Sequence, residues 1–149
     1  MDKTIIFLIL FYSLNLYSQN NLTDIKNESL QIIKKINREN KNQNLNDKLI
    51  SELFYQKIMC IVCNEQNYDE NFLIENRKIK NNINEIIPFL NPKKLKKSAI
   101  TYDKDRDEYS LGYQLAKPNP KTKFEGSGAL LRFKKENGKL KIFSIETIP

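Results

Sequence analysis

The hydrophobic periodicity of the chain changes at Asn91-Pro92, and this change restricts the possible folds more than any other feature of the sequence. Before this point, apolar residues recur about every 3.6 residues, which is typical of amphipathic helices. After it, apolar and polar residues alternate, which is typical of strands with one buried face. This order predicts an α+β domain in which about three N-terminal helices pack on a curled four-stranded antiparallel meander sheet.

Three helices are predicted before the change. Their apolar stripes are Ile25, Ile32, Ile33 and Ile36 in the first, Ile50, Leu53, Phe54, Ile58 and Ile61 in the second, and Phe72, Ile79, Ile83, Ile86 and Leu90 in the third. The Asn-rich segment 40–46 predicts a connector between the first two helices. Asn46 and Asp69 are predicted N-caps, and Pro88 predicts that the third helix ends near Ile87.

Four strands are predicted after the change, over residues 98–102, 109–115, 124–135 and 140–148. The last two form a hairpin at Asn137-Gly138, because both residue types tolerate positive φ. This register pairs Phe133 with Ile142 on one face and Arg132 with Phe143 on the other. We therefore expect alternate residues of the hairpin to face the helices.

The N-terminal segment has the layout of a secretory signal peptide. Lys3 precedes an unbroken apolar run over residues 5–12, and Ser18 is a small residue at the expected cleavage position. Polar residues interrupt the run before it reaches the roughly 20 residues of a membrane span. We expect removal of residues 1–18 and a periplasmic or secreted single domain over residues 19–149. Retention of the segment as an uncleaved anchor is the alternative.

The chain is basic, with a net charge of +7 from 25 Lys and Arg against 18 Asp and Glu. Such a charge suggests anionic partners, but most of it comes from lysine, whereas arginine has the planar fork that binds phosphate bidentately. We therefore expect no nucleic-acid partner and no stable membrane insertion after cleavage, and a small ligand or an envelope protein as the partner. The lysines crowded into residues 93–97 favour a solvated loop, with contact to an anionic lipid surface as the alternative.

The chain contains no histidine, which excludes Ser-His-Asp and Cys-His catalysis and His-ligated zinc. Asp103, Asp105 and Asp107 have the spacing that opens a calcium loop, but Glu108 stands where an EF-hand needs glycine. A solvated turn is therefore the favoured interpretation of this segment. We predict no catalytic residue, no metal site and no cofactor.

Cys60 and Cys63 form a C-x-x-C at the predicted end of the second helix. A helix C-terminus does not lower a thiol pKa, and two further metal ligands are missing, so a redox or zinc site is disfavoured. A disulfide, a pair of packed thiols and a redox-active pair all remain open. An oxidising compartment and an even cysteine count favour the disulfide.

Arg132 is the main candidate for ligand binding. The predicted register places it beside Phe143 and near Leu130 and Ile145, where its guanidinium would bind a carboxylate or phosphate if that face lines a cavity. A surface arginine stacked over Phe143 is the favoured interpretation, because the arginine stem packs readily on apolar surface. Glu125 and Glu146 are possible ion-pair partners for it or for nearby lysines. The full candidate ligand-binding set is Arg132, Phe143, Tyr109 and Tyr113.

The segment Gly126-Ser-Gly-Ala-Leu-Leu-Arg-Phe-Lys-Lys-Glu-Asn-Gly-Lys-Leu-Lys-Ile142, which follows the predicted helices, resembles the nuclear transport factor 2-like group of small α+β proteins. Many exported bacterial proteins of this shape end with such a hairpin. The usual form of the group also has a strand between its second and third helices. The resemblance implies a curled sheet packed on helices, and it does not fix a function, because the group includes enzymes, ligand binders and assembly modules.

These features predict a small exported, non-enzymatic ligand- or protein-binding domain of the bacterial cell envelope. The alternative is a small hydrolase or isomerase of similar fold that uses an Asp or Glu base together with Tyr109 or Tyr113. A cavity that holds a buried carboxylate would favour the enzyme, whereas a filled core would favour the binding domain.

Overall fold

The computed structural model describes residues 3–63, 72–118, 121 and 125–148, with side chains from residue 21 onward. The helices are α1 (Lys3–Lys41), α2 (Asp47–Leu53), α3 (Ile83–Ile86) and α4 (Pro92–Lys96), with 3-10 turns at Asn76–Lys80 and Ile87–Phe89. The strands are β1 (Phe54–Cys60), β2 (Leu73–Glu75), β3 (Ile100–Asp103), β4 (Glu108–Ala116), β5 (Ser127–Glu136) and β6 (Lys139–Ile148). The predicted α+β class is confirmed.

The strands of the described residues form one sheet in the order β2-β1-β6-β5-β4-β3. The predicted antiparallel meander is present as β3 to β6. The prediction of a purely antiparallel four-stranded sheet is wrong, because β1 pairs in parallel with β6 and β2 pairs with β1. The sheet therefore has six strands and is mixed.

The extra strands come from residues that were predicted to be helical. The second helix begins as predicted, with Asn46 Oδ1 accepting a hydrogen bond from the Leu49 N–H at 3.0 Å, but it ends at Leu53. Phe54 and Ile58 are spaced by four residues, which fits one face of a helix and one face of a strand equally well. Pairing with β6 decides in favour of the strand, which buries both side chains.

The predicted third helix is divided into β2, α3 and the two 3-10 turns. Asn82 precedes α3, and its side chain donates a hydrogen bond to the Lys78 carbonyl at 3.0 Å. Asn side chains that bond the backbone in this way compete with regular helix formation. Asp69, the predicted cap, lies outside the described residues. The short helix α4 was predicted as a loop.

Helix α1 confirms the first predicted helix and extends from Lys3 without a break. Among the described residues, no helix combines the length and the apolar character that crossing a membrane requires. The cleavage of residues 1–18 and the domain bounds stay predictions.

The helices cover one side of the sheet, called here the inner face. Its side chains form one apolar core with α1, α2 and α4. Fully buried members include Ile33, Ile36, Leu95, Leu111, Leu131, Phe133, Ile142 and Ile145. The opposite side of the sheet is called the outer face.

A β-bulge at Phe143 changes the predicted register of the hairpin. Phe133 pairs with Ile142, as predicted, but Arg132 pairs with Ser144 instead of Phe143. Phe143 is therefore an extra residue in β6. The prediction that Ile145 lies on the Arg132 face is also wrong, because Ile142 and Ile145 both enter the core despite their odd spacing. The bulge is what allows both isoleucines to point inward.

Candidate functional site

Four charged residues meet on the outer face of the sheet, and we call them the outer-face cluster: Glu108 of β4, Arg132 and Lys134 of β5, and Glu146 of β6. The strand register brings them together. Tyr109 pairs with Phe133, so Glu108 lies in the same row as Lys134, and Arg132 lies between Ser110 and Ser144. Three neighbouring strands thus contribute to a single group of side chains.

The charges of the outer-face cluster are paired with one another. Arg132 Nη1 donates a hydrogen bond to Glu108 Oε2 at 3.3 Å, and Lys134 Nζ lies 3.1 Å from Glu108 Oε1. Arg132 Nε lies 3.0 Å from Glu146 Oε1. The side chains of Glu108 and Glu146 are only 6% and 10% exposed, whereas that of Arg132 is 24% exposed. Two largely buried carboxylates are therefore neutralised by two cations that reach solvent.

Ser144 shares the carboxylate of Glu146. Its buried hydroxyl donates a hydrogen bond to Glu146 Oε1, the same oxygen that faces Arg132. Arg132 Nε is buried and makes no hydrogen bond of good geometry within the described residues, despite its short distance to that oxygen. The contact between Arg132 and Glu146 is thus an electrostatic one, and Ser144 orients the carboxylate.

An aromatic pair borders the cluster. Lys134 Nζ lies 4.5 Å from the centre of the Phe143 ring, within the range of a cation–π interaction. Tyr55 of β1 contacts Phe143 edge-on at 5.9 Å between ring centres, and its hydroxyl donates to the Lys135 carbonyl at 3.1 Å. Burial, followed by the charge of Glu136, raises the pKa of Tyr55 above its usual value. The bulge therefore places an apolar border next to a charged network.

The four predicted ligand-binding residues lie on two faces of the sheet. Arg132 and Phe143 are both outside, whereas Tyr109 and Tyr113 pack against the core on the inner face. The Tyr113 hydroxyl donates to the carbonyls of Pro88 and Phe89, each at 3.1 Å, and burial raises its pKa. The structure does not bring the tyrosines to Arg132, and ligand contact by these four residues stays a prediction.

Tyr109 belongs to an aromatic pair near the β3–β4 turn. It stacks on Tyr102 with 4.8 Å between ring centres. Burial is the main reason that the pKa of Tyr109 is raised, and the charge of Asp107 adds to it. The Tyr102 hydroxyl donates to Asp107 Oδ1 at 2.8 Å, and this bond raises the pKa of Tyr102.

The Asp-rich segment is a turn, as predicted. Asp103 Oδ1 accepts hydrogen bonds from the backbone N–H groups of Asp105 at 3.0 Å and Arg106 at 3.2 Å. These bonds close an Asx turn between β3 and β4. Within the part of the chain that the structure describes, no group of three His, Cys, Asp or Glu residues is arranged to hold a metal ion.

An open groove of about 270 Å³ lies at the end of the sheet where β4 ends and β5 begins. Its lining includes Gly112, Gln114, Gly128 and Ile148, and Ile148 is 40% exposed. Central side chains of the inner face, such as Leu111, Leu131 and Phe133, are in contrast fully buried. Two further open grooves lie elsewhere on the described surface, one of about 380 Å³ beside β1 and β2 and one of about 320 Å³ between α1 and α2. Groove volume alone therefore does not select the binding face.

Cys60 and Cys63 form a disulfide, which confirms that prediction. Its predicted position at a helix end is wrong, because Cys60 ends β1 and the Cys63 N–H donates to the Cys60 carbonyl at 3.4 Å across a tight turn. Both residues are buried. A buried disulfide is poorly accessible to an attacking thiolate, so the structure favours a structural role over a redox one.

Sequence reasoning identified Glu146 as a possible partner of Arg132, and the structure confirms that contact. It missed Glu108, which is the most buried member of the cluster. A sequence signal was available. Residues alternate between the two faces of a strand, so Glu108, two residues before Ser110, is expected on the same outer face as Ser110 and Gly112. Glu125 is exposed and belongs to the groove instead.

No family model matches the chain, and no curated protein matches it. Among solved structures, a designed nuclear transport factor 2-like protein that carries five substitutions is similar, with a TM-score of 0.40 and 13% sequence identity. The alignment covers 88% of this chain and 99% of the designed one. A similarity of this degree assigns neither a family nor a function.

Proposed function

We propose that this chain is a small exported, non-enzymatic domain that binds a ligand or another protein at the bacterial cell envelope. The observation that carries the proposal is the filled inner face, where Leu111, Leu131 and Phe133 are fully buried. Ligand-binding sites are usually concave and lined by partly exposed side chains. Because the side of the sheet that faces the helices is packed with core residues, binding takes place on the outer face.

The environment of the buried carboxylates argues against the hydrolase or isomerase alternative. A general base needs a carboxylate that can reach a substrate proton. Among the described carboxylates, Glu108 and Glu146 are the buried ones, and both face Arg132. Tyr113 donates to backbone carbonyls and has a raised pKa, so it is not a base near neutral pH.

The charge balance of the outer-face cluster favours a protein partner over a small anion. A free carboxylate or phosphate would have to displace Glu108 or Glu146 from Arg132. A protein surface can instead contact the matched charges at their exposed edges and bury Phe143 and Tyr55 beside them. Arginine and aromatic residues are enriched at protein interfaces for this reason.

Two features support export. The segment 1–18 has the three-part layout of a signal peptide. The Cys60–Cys63 disulfide fits an oxidising compartment such as the periplasm or the exterior. The intact mass of protein recovered outside the cytoplasm tests this part, and we expect the loss of residues 1–18. A membrane-bound product that retains Met1 would contradict cleavage.

Site-specific photo-crosslinking in the native host tests the binding face. We expect a crosslinker at Ser110, on the outer face, to capture a defined partner, and one at the exposed Gln31 of α1 to give no such product. The purified partner is then titrated against the wild type, Phe143→Ala and Gln31→Ala. We expect at least about a tenfold weaker Kd for Phe143→Ala alone, which is about 1.4 kcal/mol. Equal capture from both positions, or equal affinities, would refute the proposed face.

A further inference from the structure

Helix α4 and the residue after it carry four lysines that the proposed binding face does not use: Lys93, Lys94, Lys96 and Lys97. We call them the α4 lysines. All four are exposed, whereas Leu95 between them is fully buried in the core. Leu95 thus anchors the helix in the core, while the four lysines are exposed to solvent.

The backbone of α4 is held at both ends. Asn91 Oδ1 accepts hydrogen bonds from the N–H groups of Lys93 and Lys94, each at 3.1 Å. Beyond the other end of the helix, Lys26 Nζ of α1 donates to the Ser98 carbonyl at 2.5 Å. The backbone positions of the four lysines are therefore fixed before any partner arrives, which lowers the entropy cost of binding.

The α4 lysines are not neutralised by the domain itself. None of their ammonium groups has a carboxylate within 4.0 Å among the described residues, whereas Lys35, Lys134 and Lys141 each face a glutamate. Lys94 lies over the Tyr113 ring at 5.2 Å, and this contact leaves its charge intact. Four uncompensated charges within five residues make this segment a local concentration of the net charge of +7.

The position of α4 beside α1 indicates where these charges are used. Lys26 lies nine residues after Tyr17, the last apolar residue of the predicted signal segment. At 1.5 Å per residue, this is about 14 Å along the continuous helix α1. While that segment is held at a membrane, the end of α4 at Ser98, which Lys26 contacts, therefore lies about 14 Å along α1 from the apolar segment.

We propose that the α4 lysines bind anionic phospholipid headgroups and hold the newly exported domain at the membrane until the N-terminal segment is removed. This inference rests on the export part of the proposed function. Lysine suits the role because a headgroup layer attracts point charges, whereas nucleic-acid phosphates are better matched by the bidentate fork of arginine.

The expected strength of lipid binding by the α4 lysines explains why the N-terminal segment is needed as a second anchor. Each lysine near an anionic surface contributes about fivefold to partitioning, so four contribute at most several hundredfold. That alone is weak and reversible, as with other single anchoring signals. Combined with a membrane-held N-terminal segment it retains the domain, and cleavage then releases it.

Flotation of the full chain with vesicles tests the proposal. One vesicle type is pure phosphatidylcholine and the other contains 30 mol% phosphatidylglycerol, a composition chosen only for the assay. The test variant carries Lys→Gln at 93, 94, 96 and 97. The matched control carries Lys→Gln at the exposed positions 48, 57, 104 and 139, so both variants lose four charges and both keep the N-terminal segment. Circular dichroism and denaturant midpoints show that the variants are folded.

At about 0.15 M salt, we expect the preference of the wild type for phosphatidylglycerol vesicles to fall at least about tenfold in the α4 variant and less than about twofold in the control. Equal losses in both variants would mean that net charge alone matters and would overturn the proposal. The proposal would also be overturned if the wild type bound a single-stranded oligonucleotide more tightly than these vesicles and the α4 variant lost that binding. Export is measured separately by intact mass, so a failure of either idea is recognised as such.

Discussion

The two faces of the β5–β6 hairpin are built from alternate residues of the same strands, yet different forces stabilise them. On the inner face, Phe133 and Ile142 are fully buried among apolar side chains. On the outer face, Arg132 is 24% exposed and lies between two carboxylates. Apolar burial is non-directional and depends on area, whereas each charge of the outer-face cluster depends on its partner. The inner face should therefore tolerate substitutions that keep the side-chain volume. The outer face should tolerate only substitutions that replace a charge together with its partner.

Phe133→Ala tests the inner face and should have the largest effect. Its complete burial predicts a loss of about 3–5 kcal/mol in the free energy of unfolding, the usual range for a large core side chain. Phe133→Leu is the control and should cost clearly less, because it leaves a smaller cavity. Urea midpoints measure both variants. A cost of under about 1 kcal/mol for Phe133→Ala would mean that this face is not the core.

Arg132→Ala tests the outer face. The sequence alone predicts that it costs far less than Phe133→Ala. From the structure we expect Arg132→Ala to lower the free energy of unfolding by about 1–3 kcal/mol, because the change leaves Glu108 and Glu146 largely buried without their shared cation. The partial exposure of Arg132 keeps the value below that of a fully buried ion pair.

A paired exchange separates charge from packing in the same measurement. The triple variant Arg132→Met, Glu108→Gln and Glu146→Gln removes three of the four charges of the outer-face cluster and keeps most of the volume. The remaining charge, on Lys134, is 27% exposed and can be solvated. We expect it to recover at least half of the stability lost in Arg132→Ala. If the triple variant is as unstable as the single one, the loss in Arg132→Ala comes from packing and not from unpaired charges.

The contrast between the faces also explains what the sequence could predict. Along β4 and β5, and at Asn137-Gly138, strict alternation and turn chemistry indicate strands and register, and the structure confirms Phe133 opposite Ile142. The bulge at Phe143 is a tertiary effect, because it serves to bring Ile145 into the core. Only the spacing of three between Ile142 and Ile145 signals it.

The N-terminal half was harder to predict, because its apolar spacing fits two structures. Residues 54 and 58 match a helix face and a strand face, and parallel pairing of β1 with β6 decides between them. Such long-range pairing leaves no local signal. The outer-face cluster was missed in part for a similar reason, since Glu108 meets Arg132 only once β4 and β5 are in register.

Lys134→Gln should have a smaller effect than Arg132→Ala. Lys134 is 27% exposed, and Glu108 keeps Arg132 when Lys134 is replaced. We expect a cost of about 0.5–1 kcal/mol, including the loss of the contact with the Phe143 ring. Raising the salt to about 1 M should reduce the difference in stability between Lys134→Gln and the wild type, because salt screens the lost ion pair. The difference for Phe133→Ala should not decrease. If salt leaves the difference for Lys134→Gln unchanged, electrostatic interactions contribute little to stability on the outer face.

Tyr113→Phe gives the smallest expected effect and examines the polar edge of the inner face. Burial raises the pKa of Tyr113 above 10.0, the value that applies in the unfolded chain. Below about pH 10 both states keep the phenol proton, so this group gives no pH dependence. Above that pH the unfolded state loses the proton first, so stability falls as pH rises through the folded pKa. All other ionisable groups are the same in both proteins, so their contributions cancel in the difference. We therefore expect the urea midpoint of the wild type to fall more steeply than that of Tyr113→Phe between pH 9 and 11. If the two midpoints change in parallel with pH, the Tyr113 hydroxyl is not held in the core as described.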